Sequence, residues 1–383
     1  MVAFANFLNL LNPSAPKGLI RSAEAWVRSR NLVAPQLRQS QPASTFRQIF
    51  PAEENIRLVQ AGQEASPFVE YQTIRWTITE AANLFYLSGA RLLGREGTVI
   101  SPDNRVFAEF TMPPSSNWHE HSCFKRRSVP PIKRLGGWYA TIAWPESEFF
   151  FHWMIESLPR MALLKDHTSI LDGLFVSGRI QNFHIEALAK LGIPESKLIQ
   201  LSADCHFQPE HLFVPRAFAM YNPPRWLVQW FRSSFIGDDV ETVSQTATRH
   251  RLYISRADAP ARRISNESEV EEMLAPFGFM TIRLSALSVS EQATLFSQAE
   301  IIVAGHGAGL SNIVFCNPGT RIIEIMAPRW MAPCFMSLAV VADCVYRYVI
   351  GEEGQEGHEG VTPQRQNVMA PIKRLSQVLS EFI

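Results

Sequence analysis

The sequence predicts an α/β protein made of two successive doubly wound halves behind a β-rich entry. Three observations carry this reading. From Phe149 onward, short apolar runs of strand length alternate with helical stretches, the pattern of parallel sheets. The alternation starts again after a polar connector at Ile236–Thr248. Near the end of the second half, Ile301–Ile325 (IIVAGHGAGLSNIVFCNPGTRIIEI) reads as strand, glycine-rich turn, short helix and strand. The expected divisions are an N-terminal extension and linker over 1–45, a first domain over 46–240, a second over 241–350, and a loop and last helix over 351–383. A cleft between the two halves is the expected binding site.

In chain order, Ala3–Leu11 is a short apolar stretch and Asn31–Thr45, rich in Pro, Gln and Ser, is a linker. Short β-type runs follow at Arg57–Gln60, Tyr71–Ile78, Asn83–Leu87, Thr98–Ile100 and Val106–Phe110, the last two separated by a Pro102-Asp103-Asn104 turn. Phe149–Lys165 is a helix. Strands are expected at Gly173–Ser177, Leu198–Leu201 and His211–Pro215, and helices at Gln181–Leu191 and Pro223–Phe235. In the second half Arg251–Ser255 and Phe279–Ile282 are strands. Asn266 with Glu269 and Ser288 with Glu291 form capping-box patterns that open two helices. Gly351–Gly360 is a loop and Pro371–Phe382 a last amphipathic helix.

The chain has 383 residues, 46% hydrophobic and 19% charged, with a formal net charge of zero, so nothing global suggests a nucleic-acid partner. The five cysteines are scattered without a CxxC pair, which fits reduced thiols and a cytoplasmic compartment. No apolar run approaches membrane-spanning length. Residues 1–50 carry Lys17, Arg21, Arg28, Arg30, Arg38 and Arg47 against Glu24 alone. With the apolar start, this basic bias suits peripheral contact with an anionic membrane surface. A helix docked on the body or a frayed end is the competing reading.

Three constellations carry chemistry. In the glycine turn Gly305-His306-Gly307-Ala308-Gly309, small residues admit a phosphate close to the backbone. The helix that follows at Leu310 offers free N–H groups and partial positive charge. Glu324, at the end of the next strand, suits ribose hydroxyls. A dehydrogenase-type dinucleotide site competes, since an acidic residue about twenty positions after the turn is also its fingerprint. That fingerprint belongs to a first βα unit and opens a long helix; this one lies in the last third of the chain and opens a short one. Second, His152, Glu156 and Arg160 fall at i, i+4 and i+8 on an otherwise apolar helix, so they share a face. Such a stripe either faces a cleft or satisfies itself as a structural trio. Third, Arg256, Arg262 and Arg263 follow a strand, where guanidinium groups suit a diphosphate. His119, His121 and Cys123 alternate as strand neighbours on one face would, a zinc-like set without a fourth ligand; no metal site is assigned.

The segment HWMIESLPR, the run Tyr253-Ile254-Ser255-Arg256 with Arg263 and Asn266-Glu267, and GHGAGLSNIVFCNPGTRIIEI together resemble glycosyltransferase family 61. The resemblance covers roughly Thr98 to Ile350; residues 1–50 have no counterpart in it. It implies a GT-B-like fold of two facing Rossmann-like domains and an inverting transfer from a nucleotide diphosphate sugar, a UDP-sugar in the first instance, to a glycan or lipid-linked glycan acceptor. With no membrane anchor, the chain looks like a bacterial-type member acting in surface polysaccharide (capsule) biosynthesis, in the cytoplasm or at the inner face of the membrane. In that reading Arg256, Arg263, Gly305, Gly307, Ala308, Gly309 and Leu310 hold the nucleotide diphosphate, with His306 acting on the leaving group. Glu324 holds the ribose, and His152 or Glu156 is the base. No cofactor is expected and activity should be metal-independent. The alternative is a catalytically silent partner that binds a nucleotide sugar within a polysaccharide assembly complex.

Overall fold

The computed structural model describes residues 15–33, 44–53, 79–111, 121–126, 128–217, 222–237, 249–354 and 362–383. Ala3–Leu11 and the expected strands Arg57–Gln60 and Tyr71–Ile78 lie outside the described residues. The chain divides into two compact units, one from Met1–Ala52 with Glu80–Phe218, the other from Glu53–Thr79 with Ala219–Ile383.

The first unit holds β1 (Gly18–Ile20), β2 (Thr45–Phe50), β3 (Ala82–Tyr86), β4 (Arg91–Leu93), β5 (Thr98–Ile100), β6 (Arg105–Phe107), β7 (Lys133–Thr141), β8 (Gly173–Ser177), β9 (Leu198–Leu201) and β10 (His206–Arg216). They make one mixed sheet in the order β1-β6-β5-β4-β10-β7-β8-β9, with β3 also on β10 and β2 on β3. The long β10 accommodates two antiparallel neighbours, β4 at His206–Phe207 and β3 at Phe213–Arg216. On its other edge the sheet is parallel through β7, β8 and β9. The chain lays down β7, moves outward to β8 and β9, and returns to place β10 on the far side of β7. Strand order therefore reverses between β7 and β10. In a doubly wound sheet, ligands bind beyond the carboxyl ends of the strands at such a reversal.

The second unit is simpler. Strands β11 (His250–Ile254), β12 (Phe279–Ile282), β13 (Ala299–Gly305), β14 (Arg321–Met326) and β15 (Val345–Ile350) form a sheet in the order β12-β11-β13-β14-β15. Every pairing is parallel. Ile301, Val303, Ile323 and Ile325 pack on one face against Val270 and Leu274 of the helix Glu267–Leu274, and against Leu375, Val378 and Leu379 of the helix Ile372–Ser380. Covering both faces is what allows β13 and β14 to be near-continuous apolar runs. Here the order reverses between β11 and β13, whose carboxyl ends are Ile254 and Gly305.

The α/β reading holds, and several local expectations need correction. Residues 15–33 are not an extension. β1 pairs in parallel with β6, and Ile20, Ala23, Trp26 and Val27 are buried in the first unit's core, with the Trp26 ring edge-on to Phe107 at 5.1 Å. The helix Arg225–Phe235, placed by sequence in the first half, belongs to the second unit, where Phe231 and Phe235 pack on Phe315 at 5.5 and 5.6 Å. The final helix is likewise part of the second core rather than a separate tail. The expected strand Val106–Phe110 stops at Phe107 and turns helical over Ala108–Thr111. The Ser288–Glu291 capping box forms. The Asn266–Glu269 one does not, because the Asn266 amide is spent on the backbone of Ala370, accepting at 2.7 Å and donating at 3.0 Å. No helix among the described residues is long and apolar enough to cross a membrane.

Trp26 gives the test of the N-terminal correction. Trp26→Ala should lower the unfolding free energy by about 3–5 kcal/mol, the usual cost of emptying a buried aromatic site. Urea denaturation measures it, and an unchanged midpoint would return this segment to the status of an appendage.

Candidate active site

At the reversal in the second unit, β11 ends at Ile254 and Arg256 follows two residues later. Its Nε and Nη2 donate to the carbonyls of Arg262 (2.8 Å) and Ala261 (2.8 Å), and its backbone N–H donates to Glu267 at 3.2 Å. The guanidinium lies against Gly307: a Cβ built there would overlap Arg256 Nη1. At Gly305 a Cβ would meet Ile264 Cδ1 at 3.0 Å, and at Gly309 it would meet Leu284 Cδ1 at 2.6 Å. The glycines of the turn thus admit protein side chains, where the sequence reading expected them to admit a phosphate. What they bring to the turn is an arginine.

Arg262 stands beside it in a left-handed conformation, φ 56°. Its guanidinium lies over the Trp330 ring at 5.0 Å and its Nη1 donates to the Gln364 carbonyl at 3.1 Å. Among the described residues, neither Arg256 nor Arg262 has a carboxylate within ion-pair distance; their partners are carbonyls and a ring. Burial, and then the like charge of Arg262, push Arg256 down to about 10, and burial lowers Arg262 as well. Arg263, expected to join Arg256, points elsewhere: it is exposed, with Nε on the Ala259 carbonyl (2.7 Å) and its N–H on Asn367 (2.9 Å).

Beyond β13 the chain enters a tight helix over Ala308–Phe315, longer than expected and with three-residue hydrogen bonding. Leu310 N–H donates back to Gly307 O at 2.9 Å, and Leu310 itself is buried. The N–H groups of Ala308 and Gly309, both half-buried, find no acceptor among the described residues. Glu324 is brought to His306, as their places on adjacent parallel strands dictate. Its carboxylate is wholly buried, with one oxygen on His306 Nδ1 and the other on the Tyr346 hydroxyl. Both oxygens are taken, so Glu324 is not presented to a ribose. The imidazole ring meets Trp330 edge-on at 4.8 Å and Phe335 at a tilt at 5.0 Å.

At the reversal in the first unit, the helix that follows β7 runs from Phe150 to Leu164. It widens to a π-turn over Trp153–Ser157 and tightens over Leu158–Arg160 at Pro159. Such turns recur at functional sites. His152 and Glu156 meet, Nδ1 to Oε2 at 2.6 Å. Arg160 does not join them. It is fully buried, donates to the carbonyls of Glu156 (2.9 Å) and Ala143 (3.2 Å), and lies over the Trp144 ring at 4.6 Å. Burial pushes it down to about 10. The expected trio is therefore a pair plus a structural arginine. A residue the sequence did not point to, Glu146, sits on the other ring nitrogen, Nε2 to Oε2 at 3.0 Å.

The zinc-like set does not form on a strand. His121 caps the short helix Ser122–Lys125, with Nδ1 3.0 Å from Cys123 Sγ, and His119 lies outside the described residues. Burial pushes the Cys123 thiol up to about 12.

Residues 150–323, a little under half the chain, match the family model described as glycosyltransferase 61. A β-1,2-xylosyltransferase of Oryza sativa subsp. japonica is 24% identical over 115 residues, a match that takes in 26% of this chain and 22% of that protein. This chain therefore spans about a fifth of that relative's length. The two findings are a similarity to glycosyltransferase family 61 and to one xylosyltransferase, each over part of the chain.

The His306–Glu324–Tyr346 arrangement has a structural consequence. Glu324→Ala leaves two buried polar partners without an acceptor and should lower the unfolding free energy by about 3–5 kcal/mol. A loss under about 1 kcal/mol in chemical denaturation would mean that the carboxylate is not holding them.

Proposed function

We propose that the protein is an inverting glycosyltransferase that moves a sugar from a nucleotide diphosphate sugar, a UDP-sugar, to a hydroxyl of a glycan acceptor. The observation that carries this is the pair Arg256 and Arg262. Two neighbouring guanidinium groups, partly buried and without a carboxylate, repel one another and favour an anion. They stand at the strand-order reversal, beside a glycine turn and the free N–H groups that open a helix. That combination fits a diphosphate.

Transfer with inversion is one displacement. The acceptor oxygen attacks the anomeric carbon, its proton passes to a base, and the bond to the diphosphate breaks with its electron pair. The second unit's residues stabilise charge on the departing diphosphate. Arg256 and Arg262 supply guanidinium donors and Ala308 and Gly309 supply N–H groups. His306, fixed through Nδ1 by Glu324, presents Nε2. In this reading Glu324 orients His306, and Arg262 takes the role first expected of Arg263. The candidate for the base is the His152 cluster, since His152 and Glu156 form the hydrogen-bonded carboxylate–imidazole pair that general-base sites use. The arginines do the work of a divalent cation at the leaving group, so turnover should continue in EDTA.

The GT-B arrangement, the role in surface polysaccharide synthesis, the cytoplasmic location and the glycan or lipid-linked acceptor follow from the family resemblance and are part of the same proposal. The rice relative is a β-1,2-xylosyltransferase, which makes UDP-xylose the first donor to try.

Calorimetry with UDP tests the donor site. Arg256→Ala and Arg262→Ala should each weaken binding by about 1.5–3 kcal/mol, the scale of a charged hydrogen bond. Arg263→Ala should change it by less than about 0.5 kcal/mol, as for an exposed side chain. Wild-type protein without UDP affinity would sink the proposal. Complete loss of turnover in EDTA with recovery in manganese would remove its metal-independent form.

A further inference from the structure

We propose that Glu146 is the group that takes the acceptor proton, with His152 and Glu156 as positioning residues behind it. This deepens the glycosyl-transfer reading above and rests on it. The three side chains form a row running outward. Glu156 is 5% exposed, His152 17% and Glu146 63%, with contacts of 2.6 Å and 3.0 Å between successive members. Whatever approaches from solvent meets Glu146 first.

The ring's own chemistry points the same way. Both nitrogens face carboxylates, and an imidazole donates from both only as the protonated ring, which has no lone pair left. If instead Nε2 keeps its lone pair, that lone pair already faces the Glu146 carboxyl. In neither state is His152 free to accept from an incoming hydroxyl while Glu146 stays in place. Glu146 has an oxygen to spare: Oε2 is on the ring, and Oε1 has no partner among the described residues.

The backbone at Glu146 is built for this placement. Its φ is 62°, a left-handed conformation that a glutamate adopts at a cost. The turn is held on every side. Ser147 N–H donates to Trp144 O at 3.2 Å and Phe149 N–H to Glu146 O at 2.9 Å. Ser147 Oγ meets Ser177 Oγ at 2.5 Å, at the end of β8, and His184 Nε2 meets Ser147 O at 2.9 Å. A strained position kept by this many contacts, whose outcome is a carboxylate on a histidine, is the pattern of a functional site.

The step balances. The acceptor O–H bond breaks and its proton goes to Glu146 Oε1. The oxygen's electron pair forms the bond to the anomeric carbon. The bond from that carbon to the diphosphate oxygen breaks, and its pair leaves on the diphosphate. Glu146 then returns its proton to water. Glu156 holds Nδ1 and His152 holds Oε2, which aims Oε1 outward.

The experiment measures UDP release from UDP-xylose with water as acceptor, UDP affinity by calorimetry and Tm, on the whole protein. Glu146→Gln should lower turnover by about 100-fold or more, with UDP affinity unchanged. Glu146→Gly should lose the same activity while melting no lower, since glycine accepts the left-handed backbone. Added formate should restore part of the activity of Glu146→Ala, because it replaces the missing carboxylate. His152→Gln should fall less than Glu146→Gln. If Glu146→Gln keeps its turnover while His152→Gln loses it, the base is His152 and this assignment is wrong. A wild-type protein that neither binds UDP nor releases it overturns the glycosyl-transfer reading, and this assignment with it.

Discussion

Arg256 Nη1 fills the space a side chain at residue 307 would need, so the second unit can hold its arginine only because that residue is glycine. Much of the geometry around the turn depends on this exclusion. With its Nε and Nη2 tied to carbonyls of its own loop, the guanidinium cannot fold away to solvent. It is pressed onto the turn that leads from β13 to the Ala308–Phe315 helix. Arg262 is then its neighbour by necessity, since the carbonyls that hold Arg256 belong to residues 261 and 262. The loop therefore concentrates positive charge and cannot disperse it without breaking its own hydrogen bonds. Two like charges held this way repel one another, and an anion beside them would relieve that repulsion.

Each unit also uses a histidine fixed through Nδ1 by a buried glutamate: His152 by Glu156, and His306 by Glu324. The two are reached differently. Glu156 lies one helical turn on from its histidine, while Glu324 is 18 residues later on a neighbouring parallel strand. The shared result is a ring whose orientation is set from the interior and whose Nε2 faces outward. They differ at that outer atom. His306 Nε2 has no partner among the described residues, while His152 Nε2 meets a second carboxylate. A ring backed by one carboxylate suits charge stabilisation at a departing group, and a ring between two suits holding one of them in position.

Much of this was legible in the sequence, for identifiable reasons. β5, β8, β9 and β12 fell where their short runs put them; β5 and β8 are buried at every residue, which leaves such a strand little freedom in composition. The His152–Glu156 pair followed from helical spacing, which survives the π-turn. Pairing partners across strands were less legible. Glu324 looked available for a ribose because sequence spacing does not show that His306 and Tyr346 occupy both its oxygens. The choice between Arg262 and Arg263 was closed to sequence reasoning, since it depends on a left-handed backbone at Arg262 that turns its side chain over Trp330. Glu146 gave no signal for the same reason: a glutamate at positive φ cannot be foreseen from its neighbours. The error over residues 15–33 had a different origin. Basic residues along the outer face of an amphipathic helix masked the buried Trp26 and Val27.

The limits of the family match sharpen this point. The matched span runs from residue 150 to 323 and takes in His152, Glu156, both candidate arginines and the whole glycine turn. Glu146, Glu324, Trp330 and Tyr346 all lie just outside it. The span thus contains the groups proposed to meet phosphate and to hold the base cluster, while several side chains that set their orientation are contributed by flanking segments. A ring's position in a helix or turn is fixed by local sequence, but its rotation is fixed by whatever its nitrogens bond to. In this chain those partners come from the turn before the first matched helix and from β14 and β15 at the other end. The chemistry assigned to the matched span therefore needs the flanks: without them His306 loses its anchor at Nδ1 and His152 its partner at Nε2.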